Sequence, residues 1–311
     1  MKKLFGLFLL ALAFLAPSAA NAVSCFWVGG TATWDTTNTG GGGAGGIKWA
    51  SASGGGTACA GGGTGGSPST GDTATFDANS GGGTVTVNFG GLITIQSLTF
   101  GAFTGTLDFA TNNNSITLTD SNSLNGSGTG TRTLNMGDGT WTLSNAQALW
   151  NCTTVTNFTL NANGSTVAFT TAVTNQQRFQ GGGKTYNIVT FAGGGHAAIS
   201  ITGANTFGTL TITNTPVRVA MPNNATTTIT NFTNISGSAS AAVIFESDNP
   251  LFNVATISSA NNWTCDWCTF NRMTFTGGGT FTANNSLNAG NNTGITFAPS
   301  GGGGGGRIIG G

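Results

Sequence analysis

From Thr84 to about Phe297 apolar and polar residues alternate in short bursts, the period-2 pattern of strands with one buried face. Thr106-Leu107-Asp108-Phe109 is followed, after a turn at Asn112–Asn114, by Ile116-Thr117-Leu118-Thr119. Thr133-Leu134-Asn135-Met136 is followed, after Gly137-Asp138-Gly139, by Trp141-Thr142-Leu143-Ser144. Thr159-Leu160-Asn161-Ala162 is followed, after Asn163-Gly164, by Val167-Ala168-Phe169-Thr170. The strand–turn–strand unit recurs about every 26 residues, a spacing of repeat architectures. Looser copies start near Ile188, Leu210, Ile235, Val254 and Met273.

Stacking the units predicts their interior. Leu107, Leu134 and Leu160 form one inward column, with Phe109, Met136 and Ala162 two residues on. Asp108, Asn135 and Asn161 then face outward between them. The second strand supplies Ile116/Leu118, Trp141/Leu143 and Val167/Phe169 to the inside. Asparagine ladders and stacked aromatics stabilise such columns. The pattern therefore predicts an all-β fold, a parallel β-helix (β-solenoid) of about eight coils rising roughly 40 Å at the strand spacing. The competing arrangement is an antiparallel sandwich of hairpins joined by Asn-Gly and Gly-Asp-Gly turns. Equivalent positions recurring at one-coil spacing favour the solenoid.

Residues 23–83 precede the repeats and are loop-rich, with glycine runs and with Trp27, Trp34 and Trp49 spread among them. A solenoid exposes unpaired strands at its ends, so this segment is expected to cap the first coil. Residues 84–297 are the solenoid, and residues 298–311 a glycine-rich tail. Met1-Lys2-Lys3, the apolar Leu4–Leu15 run, Pro17 and Ala20-Asn21-Ala22 follow the order of a secretory signal peptide over residues 1–22. Its apolar stretch is too short to span a bilayer. Secretion or display at the cell surface is therefore expected.

Composition narrows the function. Only 6% of residues are charged, and seven basic face nine acidic side chains once Lys2 and Lys3 are set aside. Nucleic acid and anionic lipid both require clustered Lys and Arg, so neither is an expected partner. Glu246 and Asp248 are the carboxylates closest on one strand face, and an acid/base pair or a calcium site would use such a pair. Asp248-Asn249-Pro250 also reads as a turn opening after a strand, and the turn and solvated face is the preferred reading. Asp138 and Arg132 are placed to meet across coils, although glycine-flanked Asp138 is most simply a turn residue. His196 has no partner at a motif spacing and reads as a solvated loop residue. No metal site and no cofactor are expected.

Seven tryptophans against one tyrosine give the better ligand candidates, because exposed indoles stack on sugar rings. Trp27, Trp34, Trp49, Trp263 and Trp267 are the candidates for glycan contact; burial in the cap is the commoner role for tryptophan in such places. Cys25 and Cys59 are expected to staple the N-terminal segment. Cys265 and Cys268 either close a local bridge or remain buried thiols, and Cys152 is left over.

Phe26-Trp27-Val28-Gly29-Gly30, Trp34-Asp35, Gly71-Asp72-Thr73-Ala74-Thr75-Phe76, Thr84-Val85-Thr86-Val87 and Ser97-Leu98-Thr99-Phe100 carry a resemblance. The pattern resembles secreted bacterial β-solenoid proteins of the autotransporter-passenger type. With Cys25 ahead of it and the terminal glycine stretch, it also resembles uncharacterised β-solenoid proteins of environmental bacteriophages. The resemblance implies a right-handed β-helix on a cell or virion surface, with an adhesive or structural role. A phage-associated, tail-spike-like protein that recognises or depolymerises host polysaccharide is the alternative it leaves open. Its motifs are structural and imply no catalytic residues.

Overall fold

The computed structural model describes residues 22–249 and 253–298. The expected signal segment up to Asn21 and the glycine tail beyond Ala298 lie outside the described residues. The strands stack in parallel as a β-solenoid, with one 3-10 turn, Ala44–Gly46, as the helical element among the described residues.

Face I is a 12-stranded sheet running from Ser24–Trp27 through Leu124–Asn125 and Val243–Ser247 to Leu287–Asn288. Its pairings are parallel except at the N-terminal edge, where Trp49–Ala50 lies antiparallel on Ser24–Trp27. Face II has five strands and ends at Phe158–Asn161. Face III has nine, from Leu92–Ile95 to Met273–Thr276. Complete turns begin at the face I strands starting with Thr73, Ser97, Leu124, Leu149, Gln177, Ala198, Val217 and Val243.

The predicted columns are present. Leu134 pairs in register with Leu107 and Leu160, and Asn135 with Asp108 and Asn161. The Asn161 side-chain amide donates to Asn135 Oδ1 at 2.7 Å, the ladder bond that the repeat implies. Trp141 lies between Ile116 and Val167, and Leu143 between Leu118 and Phe169. The turn from face II to face III takes a left-handed residue at Gly137 (φ 70°) and, one level on, at Asn163 (φ 48°). Glycine and asparagine tolerate that region, which explains their places in the repeat.

After Asn161 the cross-section changes. Face II stops, and the following coils carry longer face III strands, Thr185–Phe191, Thr206–Ile212 and Thr226–Thr233. Asn187 and Gly208 drop out of the register there, and a Cβ at Gly208 would lie 2.6 Å from the Asn187 carbonyl oxygen, so the close approach requires glycine. A three-stranded sheet, Trp263–Asp266, Phe281–Asn284 and Thr296–Phe297, joins near the C-terminal end.

Face III keeps a straight outward register over seven levels: Thr94, Thr117, Thr142, Ala168, Thr190, Thr211 and Thr233 are consecutive partners. Two residues earlier the column reads Leu92, Ser115, Thr140, Thr166, Ile188, Thr209 and Asn231. Face I carries more varied outward residues, among them Asn125, Asn151, Gln180, Arg178, Arg218 and Glu246.

Candidate functional site

The tryptophans of the N-terminal segment face inward. Trp27, Trp34 and Trp49 are fully buried and pack edge-to-face at 5.1 and 5.2 Å around Phe76. Such pairs are worth about 0.5–1.5 kcal/mol each beyond their buried area. Their ring surfaces are taken up by one another, the cap-packing role. Trp263 is likewise buried, between Phe232 and Phe281. Trp267 alone of the five candidates shows a solvent face, at 38% exposure.

Trp267 also has left-handed backbone (φ 56°), uncommon for a bulky side chain. Its N–H donates to the Asn284 carbonyl and its carbonyl accepts from Val243 N–H, so both neighbouring coils hold it. The Cys265–Cys268 bridge encloses it. Cys25 and Cys59 are bridged as well, with Cα atoms 5.5 Å apart, and Cys152 is a free, buried thiol.

Glu246 and Asp248 are bonded to different residues. Glu246 is buried on the outward side of face I and is ion-paired with Arg218 of the preceding coil. Asp248 lies past the strand end, where its Oδ1 accepts the backbone N–H of Asn223 at 2.9 Å. Each carboxylate has its own partner in the coil before. The Arg132–Asp138 pair is absent. Arg132 has the inward parity of Leu134, and Asp138 accepts the Gly164 N–H instead.

The other carboxylates follow the same rule. Asp35 binds Lys48 and Thr37, Asp72 accepts from Gly62 and Ser69, and Asp77 from Asn79. Asp108 accepts from Ala110 and Thr111, Asp120 from Ser121, and Asp266 from Asn285. Each holds a turn or ties two coils together, the usual service of aspartate in loops. No group of three or more metal-ligating side chains occurs among the described residues. His196 is exposed in a bend.

One groove is a feature that sequence reasoning missed. Where face II ends, a groove of about 590 Å³ opens below the edge strand Phe158–Asn161. Asn161, Asn163, Thr185, Asn187, Thr206 and Thr230 line it, with Gly208, Leu160 and Ala162 between them and no charged side chain. The edge strand pairs on one side only. Lys184 donates from Nζ to the Phe158 carbonyl at 2.6 Å and so covers part of the open edge. A second groove of about 360 Å³, lined by Ser121, Asn122, Gln147, Asn175, Gln176 and Arg178, lies at the corner from face III to face I. No helix among the described residues is long and apolar enough to cross a membrane.

No protein-family model, no curated protein and no solved structure matches this chain.

Proposed function

We propose that this chain is an extracellular, non-enzymatic β-solenoid surface protein with a structural or adhesive role. A β-solenoid fits a structural or surface protein in general. The observation that carries the non-enzymatic reading is that all nine carboxylates hold turns or neighbouring coils. Glycoside hydrolysis needs two carboxyl groups facing one bond, about 5–10 Å apart and free to exchange protons. The signal-like N-terminus and the two cysteine bridges support an extracellular setting.

The uncharged groove below Phe158–Asn161 supports an adhesive form of the role, with a neutral glycan laid against amide and hydroxyl groups. The same groove favours a second reading, a phage-associated protein that recognises host surface polysaccharide. The signal-like leader stands against it, because virion proteins assemble in the cytoplasm.

Incubation with a panel of bacterial surface polysaccharides, followed by gel filtration, tests the proposal. Polymer length is expected to stay unchanged, and Glu246→Gln to behave as the parent. Arg218 is well exposed, so that substitution should cost no more than about 1 kcal/mol of stability. Shortened polymer that is spared by Glu246→Gln would overturn the non-enzymatic reading. Co-elution of intact polymer with the protein would select the adhesive role over the structural one.

A further inference from the structure

The outward side of face III differs from the rest of the surface in regularity and in charge. Every second residue of Ser115–Thr119, Thr140–Ser144 and Thr166–Thr170 points outward, and these nine positions stack level on level. Eight of the nine are Thr or Ser, the exception being Ala168. Thr94 extends the block on one side; Thr190, Thr209, Thr211 and Thr213 resume it beyond Ile188 and Ala192.

The side chains repeat as the backbone does. Thr119, Ser144, Thr170 and Thr213 each donate from the hydroxyl to a carbonyl of the preceding coil, at 3.4, 3.4, 3.5 and 3.4 Å. The hydroxyls of Thr94, Thr117, Thr142, Thr190 and Thr211 make no hydrogen bond to described residues and are left for an outside partner. No charged residue occupies an outward position of face III from Leu92 to Thr233. On face I of the same scaffold, Arg178, Arg218 and Glu246 do occupy such positions.

The resulting net has edges of about 4.8 Å between coils and about 6.7 Å along the strand, two residues apart. Six of the nine nodes are threonines, which carry both a methyl group and a hydroxyl. Oxygen atoms on the prism faces of hexagonal ice recur on a rectangular net of similar edges. Methyl groups hold neighbouring water in cage-like arrangements, and hydroxyls at the lattice spacing tie that water to the protein. Charged groups would orient water about themselves and break the lattice, and this face has none.

We propose that face III binds ice, through water ordered on its threonine net. A charge-free array of hydroxyl-bearing side chains, evenly spaced in two directions, suits a crystalline partner with the same repeat. A flexible polymer has no use for the second direction.

The test measures thermal hysteresis and crystal shape for the purified protein, for Thr142→Lys at the centre of the net, and for Ser200→Lys on face I. The parent and Ser200→Lys are expected to shape ice and depress its growth temperature. Thr142→Lys is expected to lose both while keeping the parent circular dichroism spectrum. Thr117→Val, which keeps the β-branched shape and removes the hydroxyl, serves if Thr142→Lys does not fold, and should reduce the hysteresis. Absence of hysteresis in the parent overturns the proposal, as does equal activity in the parent and a folded face III variant. Sedimentation with microcrystalline cellulose, lost in Thr142→Lys without any ice activity, would assign the net to a crystalline polysaccharide instead.

Discussion

Arg132→Met is expected to lower the stability of the central coils by about 3 kcal/mol, with Arg132→Lys in between. The guanidinium is 1% exposed and has no carboxylate partner. Its Nε and Nη2 donate to the Gly126 carbonyl, Nη1 to Gly130 and Thr156, and Nη2 also to Thr154. It lies 4.7 Å from the centre of the Phe158 ring. The Gly126 and Gly130 carbonyls belong to one coil, Thr154 and Thr156 to the next, so one side chain stitches two levels where their loops supply few N–H donors.

Thr154 also accepts from Gly128 N–H and would remain satisfied. Gly126, Gly130 and Thr156 would lose this donor, at about 1–3 kcal/mol for each carbonyl left unpaired. Relief from burying a cation offsets part of that loss, since burial pulls the guanidinium pKa below its ordinary value. Lysine keeps the charge and presents three donors from one point, without the fork that spans four carbonyls. Each coil contacts only its neighbours, so the loss should concentrate between Leu124 and Phe169. Native-state hydrogen exchange reads it there as faster amide exchange. A change below about 1 kcal/mol would mean that the carbonyls find other donors and the stitch is dispensable.

The solenoid was legible wherever coil length is constant. Between Thr106 and Thr170 equal spacing lets parity and register be read together, which is why the Leu107–Leu134–Leu160 and Asp108–Asn135–Asn161 columns are where the repeat puts them. Beyond Asn161 the coil length varies, and pairs across coils cannot be aligned by counting. Glu246 meets Arg218 at a separation of 28 residues, which no preceding unit foretells. The end of face II, and with it the larger groove, follows from shortening of the coils rather than from any motif.

The place of Arg132 was missed for another reason. It was read only as a partner for Asp138, whereas parity pointed inward: Arg132 shares a face with Leu134 and Met136, as Trp141 does with Leu143. In a chain this poor in charge, strand parity was the better guide to burial than residue type.

Between about pH 9 and pH 12 the fold is expected to lose about 4 kcal/mol through one buried thiol. Cys152 is fully buried, and burial pushes its pKa from 9.0 up to about 12, against the pull of Arg132, Tyr186 and Lys184. The unfolded chain releases this proton near pH 9 while the folded chain keeps it until about pH 12. Above pH 9 the folded state therefore holds more protons, and stability falls as pH rises, by about 1.4 kcal/mol per pH unit. Below pH 9 the contribution is complete and level.

Tyr186 reinforces the trend above pH 10. Burial raises its hydroxyl well above the ordinary value, the nearby Cys152 raises it further, and the Trp150 indole bond opposes both. Denaturant titrations across this range should show Cys152→Ala flatter than the parent between pH 9 and pH 10, before the tyrosine takes part. Parallel curves would mean that the folded thiol titrates at its ordinary value. The same burial keeps the odd cysteine of a twice-bridged chain protonated, and a thiol without its thiolate form cannot attack Cys25–Cys59 or Cys265–Cys268. Bridge scrambling should accordingly follow the alkaline loss of structure rather than precede it, and Cys152→Ala should suppress it.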